Sequence, residues 1–208
     1  MNIKRLKEAE RDFFGLYPKG FSDPNMAEIM KRHNPTKLYA LAKASFSQAA
    51  FDSPTEVVEN MAKLVSRSTM ISLFEKPKFR DFTKELSGLD QKHLAGGLQE
   101  FLYGDQRQGF EDMVAVMELG KLAKWSLVTA CPVYLRPDEE VFVKPTTAKG
   151  IIEHFEVSGL IYKPKPTYDF YKGYRELIQE MKQHVSPIIS EAGNAAFTGF
   201  LMMSLENG

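Results

Sequence analysis

Thr167 to Val185 reads TYDFYKGYRELIQEMKQHV, with apolar residues at Phe170, Tyr174, Leu177, Ile178, Met181 and Val185. Intervals of three and four place these side chains on one face of a 3.6-residue helix, ready for burial. Tyr168, Tyr171, Lys172, Arg175, Gln179 and Lys182 fall on the opposite side. The pattern predicts a long amphipathic helix with a core stripe and a solvated back.

The same grammar recurs upstream. Asp23-Pro24, Asn34-Pro35 and Ser53-Pro54 each set a capping side chain before a proline suited to the first helical turn. Helically spaced apolar residues follow, among them Leu38, Leu41 and Phe46 after Asn34, and Val57, Met61 and Leu64 after Ser53. The first segment (Ile3, Leu6, Phe13) predicts a short helix stopped by Gly15 and Pro18, and 78–86 predicts another. A helix over 90–103 stops at Gly104, and Asp105 caps the next, which ends at Gly120. Residues 121–136 fit a buried helix or a short strand. They are assigned to helix although Pro132 removes a donor. Val141 to Val143 predicts a short extended piece. Helices over 146–155 and 195–205 complete the chain.

The fold class is therefore all-α: a compact domain of about ten short helices over 1–208, with at most a minor short β element. Lobes 1–104 and 105–208 stand as an alternative subdivision. A length of 208 residues suffices for a core without disulfides or metals.

Lysine and arginine number 27, as do aspartate and glutamate, so the chain lacks the overall basic excess that most nucleic-acid binders use. The single cysteine, Cys131, lies among apolar residues and reads as a small buried hydrophobe. Residues 1–12 have no apolar signal-peptide core, and no apolar run approaches the ~20 residues that span a bilayer. The expected address is cytoplasmic, with no membrane partner.

Two linked stretches carry a resemblance. Residues 143–149 (VKPTTAK) open one helix, and residues 162–171 (YKPKPTYDFY) open the next. Together they resemble an uncharacterised bacterial family in which a KPT helix start precedes a Y-x-P-x-P-x-W-x-x-Y helix start. Tyr168 takes the place usually held by Trp. The resemblance covers roughly the last third of the chain, with weaker similarity around Ala123-Lys124-Trp125, and it implies no activity, cofactor or site residue.

The residues themselves offer one candidate surface. Lys144, Thr146 and Thr147 surround a helix N-terminus, where free N–H groups favour an anion. Lys163, Lys165, Tyr168, Tyr171, Lys172 and Arg175 interleave aromatics with cations, a pattern that stacks bases and grips phosphates. From Lys144 to Arg175 there are six basic residues against three acidic ones. The plain alternative is a capped helix followed by a solvated face. Pro137-Asp138-Glu139-Glu140 reads as an acidic turn, because Phe142 holds the place where a nuclease carboxylate would precede Lys144. The four histidines show no metal-ligand spacing, and no P-loop, nucleophile elbow or dinucleotide fingerprint occurs. No cofactor or metal is expected. The Met/Phe-rich segment from Asn194 onward belongs to the core or, as a second reading, to a protein partner or homodimer seam. Three functions follow in order: a non-enzymatic accessory or interaction protein, a weak nucleic-acid or polyphosphate binder, and an enzyme with a non-sequential site.

Overall fold

A computed structural model describes residues 1–33 and 35–206. Helices account for 73% of them, with no strand among the described residues. Twelve α-helices follow in order: α1 Ile3–Leu16, α2 Ala27–Arg32, α3 Thr36–Ser45, α4 Pro54–Arg67, α5 Glu75–Glu85, α6 Gly88–Tyr103, α7 Gln106–Leu119, α8 Trp125–Leu135, α9 Pro145–His154, α10 Tyr168–Gln183, α11 Pro187–Ser190 and α12 Asn194–Glu206. Three 3-10 turns precede α2 and α4.

Local chemistry explains many of the boundaries. Asn2, Ser87 and Asp105 each accept a backbone N–H from the first turn of the helix they precede, satisfying a donor that the helix leaves open. Ser53 makes no such bond; Pro54 alone starts α4. Asp23 caps a 3-10 turn rather than an α-helix, and the expected cap at Asn34 lies outside the described residues. Helix α1 runs through Gly15, and α5 begins at Glu75, ahead of the expected start.

The ambiguous stretch became α8, with every residue from Trp125 to Tyr134 buried despite Pro132. A helix apolar on all sides belongs inside, where packing outweighs one lost backbone bond. It packs on α3, α4 and α7. Helices α6 and α7 form an antiparallel pair crossing at Gly97 and Gly109, where a Cβ on Gly109 would overlap the Phe101 backbone. Helix α12 closes the other side against α1, α9 and α10, with the Phe13 and Phe200 rings 5.2 Å apart. Phe197, Phe200 and Leu201 are buried there, so the Met/Phe-rich segment spends most of its apolar surface on its own chain. One connected set of buried apolar residues extends from Leu6 to Leu201. No helix among the described residues is long and apolar enough to cross a membrane.

Between α8 and α9 the chain passes through the interior without forming a helix or strand. Val141, Phe142 and Val143 are buried, so their backbone groups need protein partners. The Val143 N–H donates to Thr129 Oγ1 at 3.1 Å, and the Val141 N–H to the Tyr171 hydroxyl at 3.4 Å. Side chains replace the strand that the sequence suggested here.

Candidate functional site

Helix α10 buries the predicted stripe from Phe170 to Met181, and Val185, just past the helix end, is buried as well. Its back is not free. Tyr171, expected on the solvated side, is 0% exposed: its ring packs 5.3 Å from Phe110 and 5.5 Å from Phe101. Helices α6 and α7 cover this side of α10, which removes Tyr171 as a stacking platform. Arg175 and Lys182 are half-buried rather than exposed.

Their partners lie in the segment after α8. Glu140 is 2% exposed. Its Oε2 accepts from the Tyr171 hydroxyl at 2.6 Å and from Arg175 Nη1 at 2.9 Å, and its Oε1 accepts from Gln106 Nε2 at 3.0 Å. The Glu140 carbonyl accepts from Asn194 Nδ2 at 3.0 Å. One residue thus joins α7, α10 and the start of α12. Reading Pro137 to Glu140 as a wholly solvated acidic turn fails at this residue: Asp138 and Glu139 are exposed, while Glu140 turns inward. Burial, and then the Glu140 charge, hold the Tyr171 hydroxyl well above its usual titration range. Burial works against the Arg175 charge, but Glu140 outweighs it and raises the guanidinium further.

Chemically this is a clamp. A carboxylate that must be buried needs pairing and hydrogen bonds, and Glu140 receives both. Both oxygens are hydrogen-bonded within the chain. Glu140 also contributes to the wall of an open groove of about 610 Å3, together with Arg136, Asp138, Glu139, Arg175 and Gln179. Among the described residues, no three His, Cys, Asp or Glu side chains converge as metal ligands.

Most of the remaining predicted residues have partners outside the set. Thr147 is buried and donates to Met202 Sδ, while Lys144 and Thr146 are exposed at the start of α9. No bond or ring contact joins Lys144 or Thr146 to the predicted residues of α10. Tyr168 is half-buried, donates to Gln106 at 3.0 Å and lies under the Arg107 guanidinium. Lys172 pairs with Glu176, and Lys165 with Glu118. Lys163 is exposed, and its carbonyl accepts from Trp125 Nε1 at 2.8 Å.

That last bond leads to a surface the sequence did not single out. On the segments joined to the first turn of α8 are four exposed apolar side chains: Leu73 (79%), Phe74 (82%), Leu119 (67%) and Ile161 (78%). Each sits within two residues of an anchored group. Glu75, next to Phe74, accepts from the Ser126 hydroxyl at 3.0 Å. Glu118, next to Leu119, holds Lys165. Gly120 lies flat on the Phe82 ring, where a Cβ would collide. Ile161 belongs to an extended run of alternating side chains. Leu160 reaches toward Gly173, and Tyr162 packs on Trp125 and Phe170, whereas Ile161 and Lys163 face outward. Two long-range hydrogen bonds and one ion pair thus tie the 72–78, 118–124 and 160–166 segments to one region. Their exposure was illegible because isolated apolar residues in a sequence read as core.

Compared with known protein families, with curated proteins and with solved structures, the chain returns no match.

Proposed function

We propose that this chain is a non-enzymatic recognition protein that docks through the surface around the first turn of α8. The observation that carries the reading is the exposure of Leu73, Phe74, Leu119 and Ile161 on segments anchored to that region. Apolar side chains grouped on an anchored surface mark interaction sites more often than do single exposed ones. The buried Glu140 carboxylate supports the same reading, because its hydrogen bonds join elements of the fold. The basic-aromatic surface of residues 144–175 supports nucleic-acid binding less well. Tyr171 is internal, and Lys165, Lys172 and Arg175 already have carboxylate partners.

Complementation tests the reading. In cells of the source organism lacking the gene, the Phe74→Ser/Ile161→Ser variant melts like the wild type when purified and fails to restore function. Full complementation by that variant refutes docking through this surface.

A further inference from the structure

The three segments around α8's first turn share a pattern that extends beyond their apolar residues. Leu73-Phe74 is followed by Lys76 and Lys78, Leu119 by Lys121 and Lys124, and Ile161 by Lys163 and Lys165. Each exposed apolar residue thus precedes two lysines. Across 72–78, 118–124 and 160–166 there are six lysines against two glutamates, on a chain whose formal net charge is zero. Both glutamates are engaged, Glu75 with Ser126 and Glu118 with Lys165. Lys78, Lys121, Lys124 and Lys163 are exposed and form no ion pair among the described residues.

From this juxtaposition we infer that the occupant of the surface is the headgroup layer of a bilayer carrying anionic lipid; the inference rests on the recognition reading above. The lysines supply charge complementarity to lipid phosphates and carboxylates. The apolar side chains favour a fluid medium over a fitted protein partner. Leu73, Phe74 and Ile161 stand at about four-fifths exposure, and none of them lines the groove beside Glu140. Projections of this kind enter the boundary between headgroups and acyl chains without needing a matching pocket. Combining shallow apolar insertion with a basic rim is the physical basis of reversible peripheral attachment. It needs no spanning helix, so the sequence expectation of no membrane partner, which rested on spanning length, does not bear on it.

The anchoring fits such a role. Gly120 on the Phe82 ring and the Lys121 backbone in the left-handed region (φ 56°) fix the turn after α7. Gly159, at φ 82°, sets the entry to the Leu160-Ile161 strand-like run. Ser72 Oγ accepts from the Phe74 N–H at 3.2 Å, holding the third projection. Ordered projections lose little entropy on insertion.

The test is co-sedimentation of the full-length protein with vesicles of phosphatidylcholine alone and of phosphatidylcholine mixed with phosphatidylserine. The expected result is pelleting with the mixed vesicles only, weakened by added salt. Binding should fall about fivefold for each of Lys124→Ser and Lys163→Ser, the fold-change equivalent to ~1 kcal/mol per basic residue near an anionic surface. Leu73→Ser/Phe74→Ser/Ile161→Ser should abolish pelleting while leaving the melting curve unchanged, since all three side chains are exposed. No pelleting with mixed vesicles overturns the inference. So does pelleting that survives the triple substitution, which would mark adsorption to any polyanion. Should vesicle binding be absent while Phe74→Ser/Ile161→Ser still fails to complement, the recognition reading stands with a different partner; if that variant complements, the reading falls too.

Discussion

Tyr171 and Tyr174 make a matched pair for testing the Glu140 clamp. Both lie on α10, less than one turn apart, and both are 0% exposed. The Tyr171 hydroxyl donates to the Glu140 carboxylate at 2.6 Å, whereas the Tyr174 hydroxyl has no hydrogen-bond partner. Tyr171→Phe keeps the ring packing on Phe101 and Phe110 and deletes only the hydroxyl. A hydrogen bond to a charged group contributes about 1.5–3 kcal/mol, and the loss should reach the upper part of that range, because Glu140 and the Val141 N–H both lose a buried partner. For a chain of this size, 1 kcal/mol shifts the melting point by about 2–4 °C, so the expected drop is roughly 5–12 °C. Tyr174→Phe removes a buried hydroxyl that bonds to nothing, and should lie within about 0.5 kcal/mol of wild type or above it. Urea denaturation of the three proteins, followed by circular dichroism with a common m-value, gives the comparison directly. Equal losses for the two variants, or a loss below about 0.5 kcal/mol for Tyr171→Phe, would refute the clamp.

Leu177→Ala, at a site 5% exposed, should cost about 2–4 kcal/mol in chemical denaturation, as emptying a core site does. Gly109→Ala drives a methyl into the Phe101 backbone and should lower stability by about 3 kcal/mol or more, since rigid backbone leaves no room for repacking; Gly96→Ala, inside the same helix pair where the space is open, is the control and should gain up to about 1 kcal/mol from helix propensity. Burial pushes Tyr134 up to about 12 and also holds Tyr171 and Tyr174 well above the usual tyrosine range. Above about pH 10 the unfolded chain therefore releases tyrosine protons that the native state keeps. Stability held below that pH should fall steadily toward pH 12, as read by denaturation midpoints across that window. Cys131 is fully buried, with its thiol raised by burial, so a disulfide reagent should leave the native protein untouched and titrate one thiol per chain in denaturant.

Much of the architecture was legible because it is written locally. Asp105 capped where capping chemistry says, Gly104 ended α6, and α10 buried its stripe. The misreadings that touch the candidate site share one physical cause, pairing across long sequence distances. Tyr171 looked solvated because one apolar stripe implies one buried face; α7 and the segment after α8 cover a second. Glu140 looked like the end of an acidic turn, since its partners Gln106, Tyr171 and Arg175 lie more than thirty positions away. The one local clue was its place directly before the buried Val141-Phe142-Val143 run, where a charge must find a partner or be costly. Leu73, Phe74 and Ile161 are the converse case: composition marks them as core, and only the surrounding packing leaves them outside.

The buried Cys131 makes the most direct test of the docking surface simple. Single cysteines placed at Phe74, at Ile161 and, as a control, at the exposed Glu139 beside the Glu140 clamp can be labelled with a membrane-permeant maleimide without background from the native thiol. The labelling rate is measured in the purified protein and again in living cells of the source organism, with each rate referred to Glu139→Cys. Docking around α8's first turn predicts that Phe74→Cys and Ile161→Cys label severalfold more slowly in cells than in buffer, while Glu139→Cys does not slow. Unchanged relative rates at all three positions would contradict it.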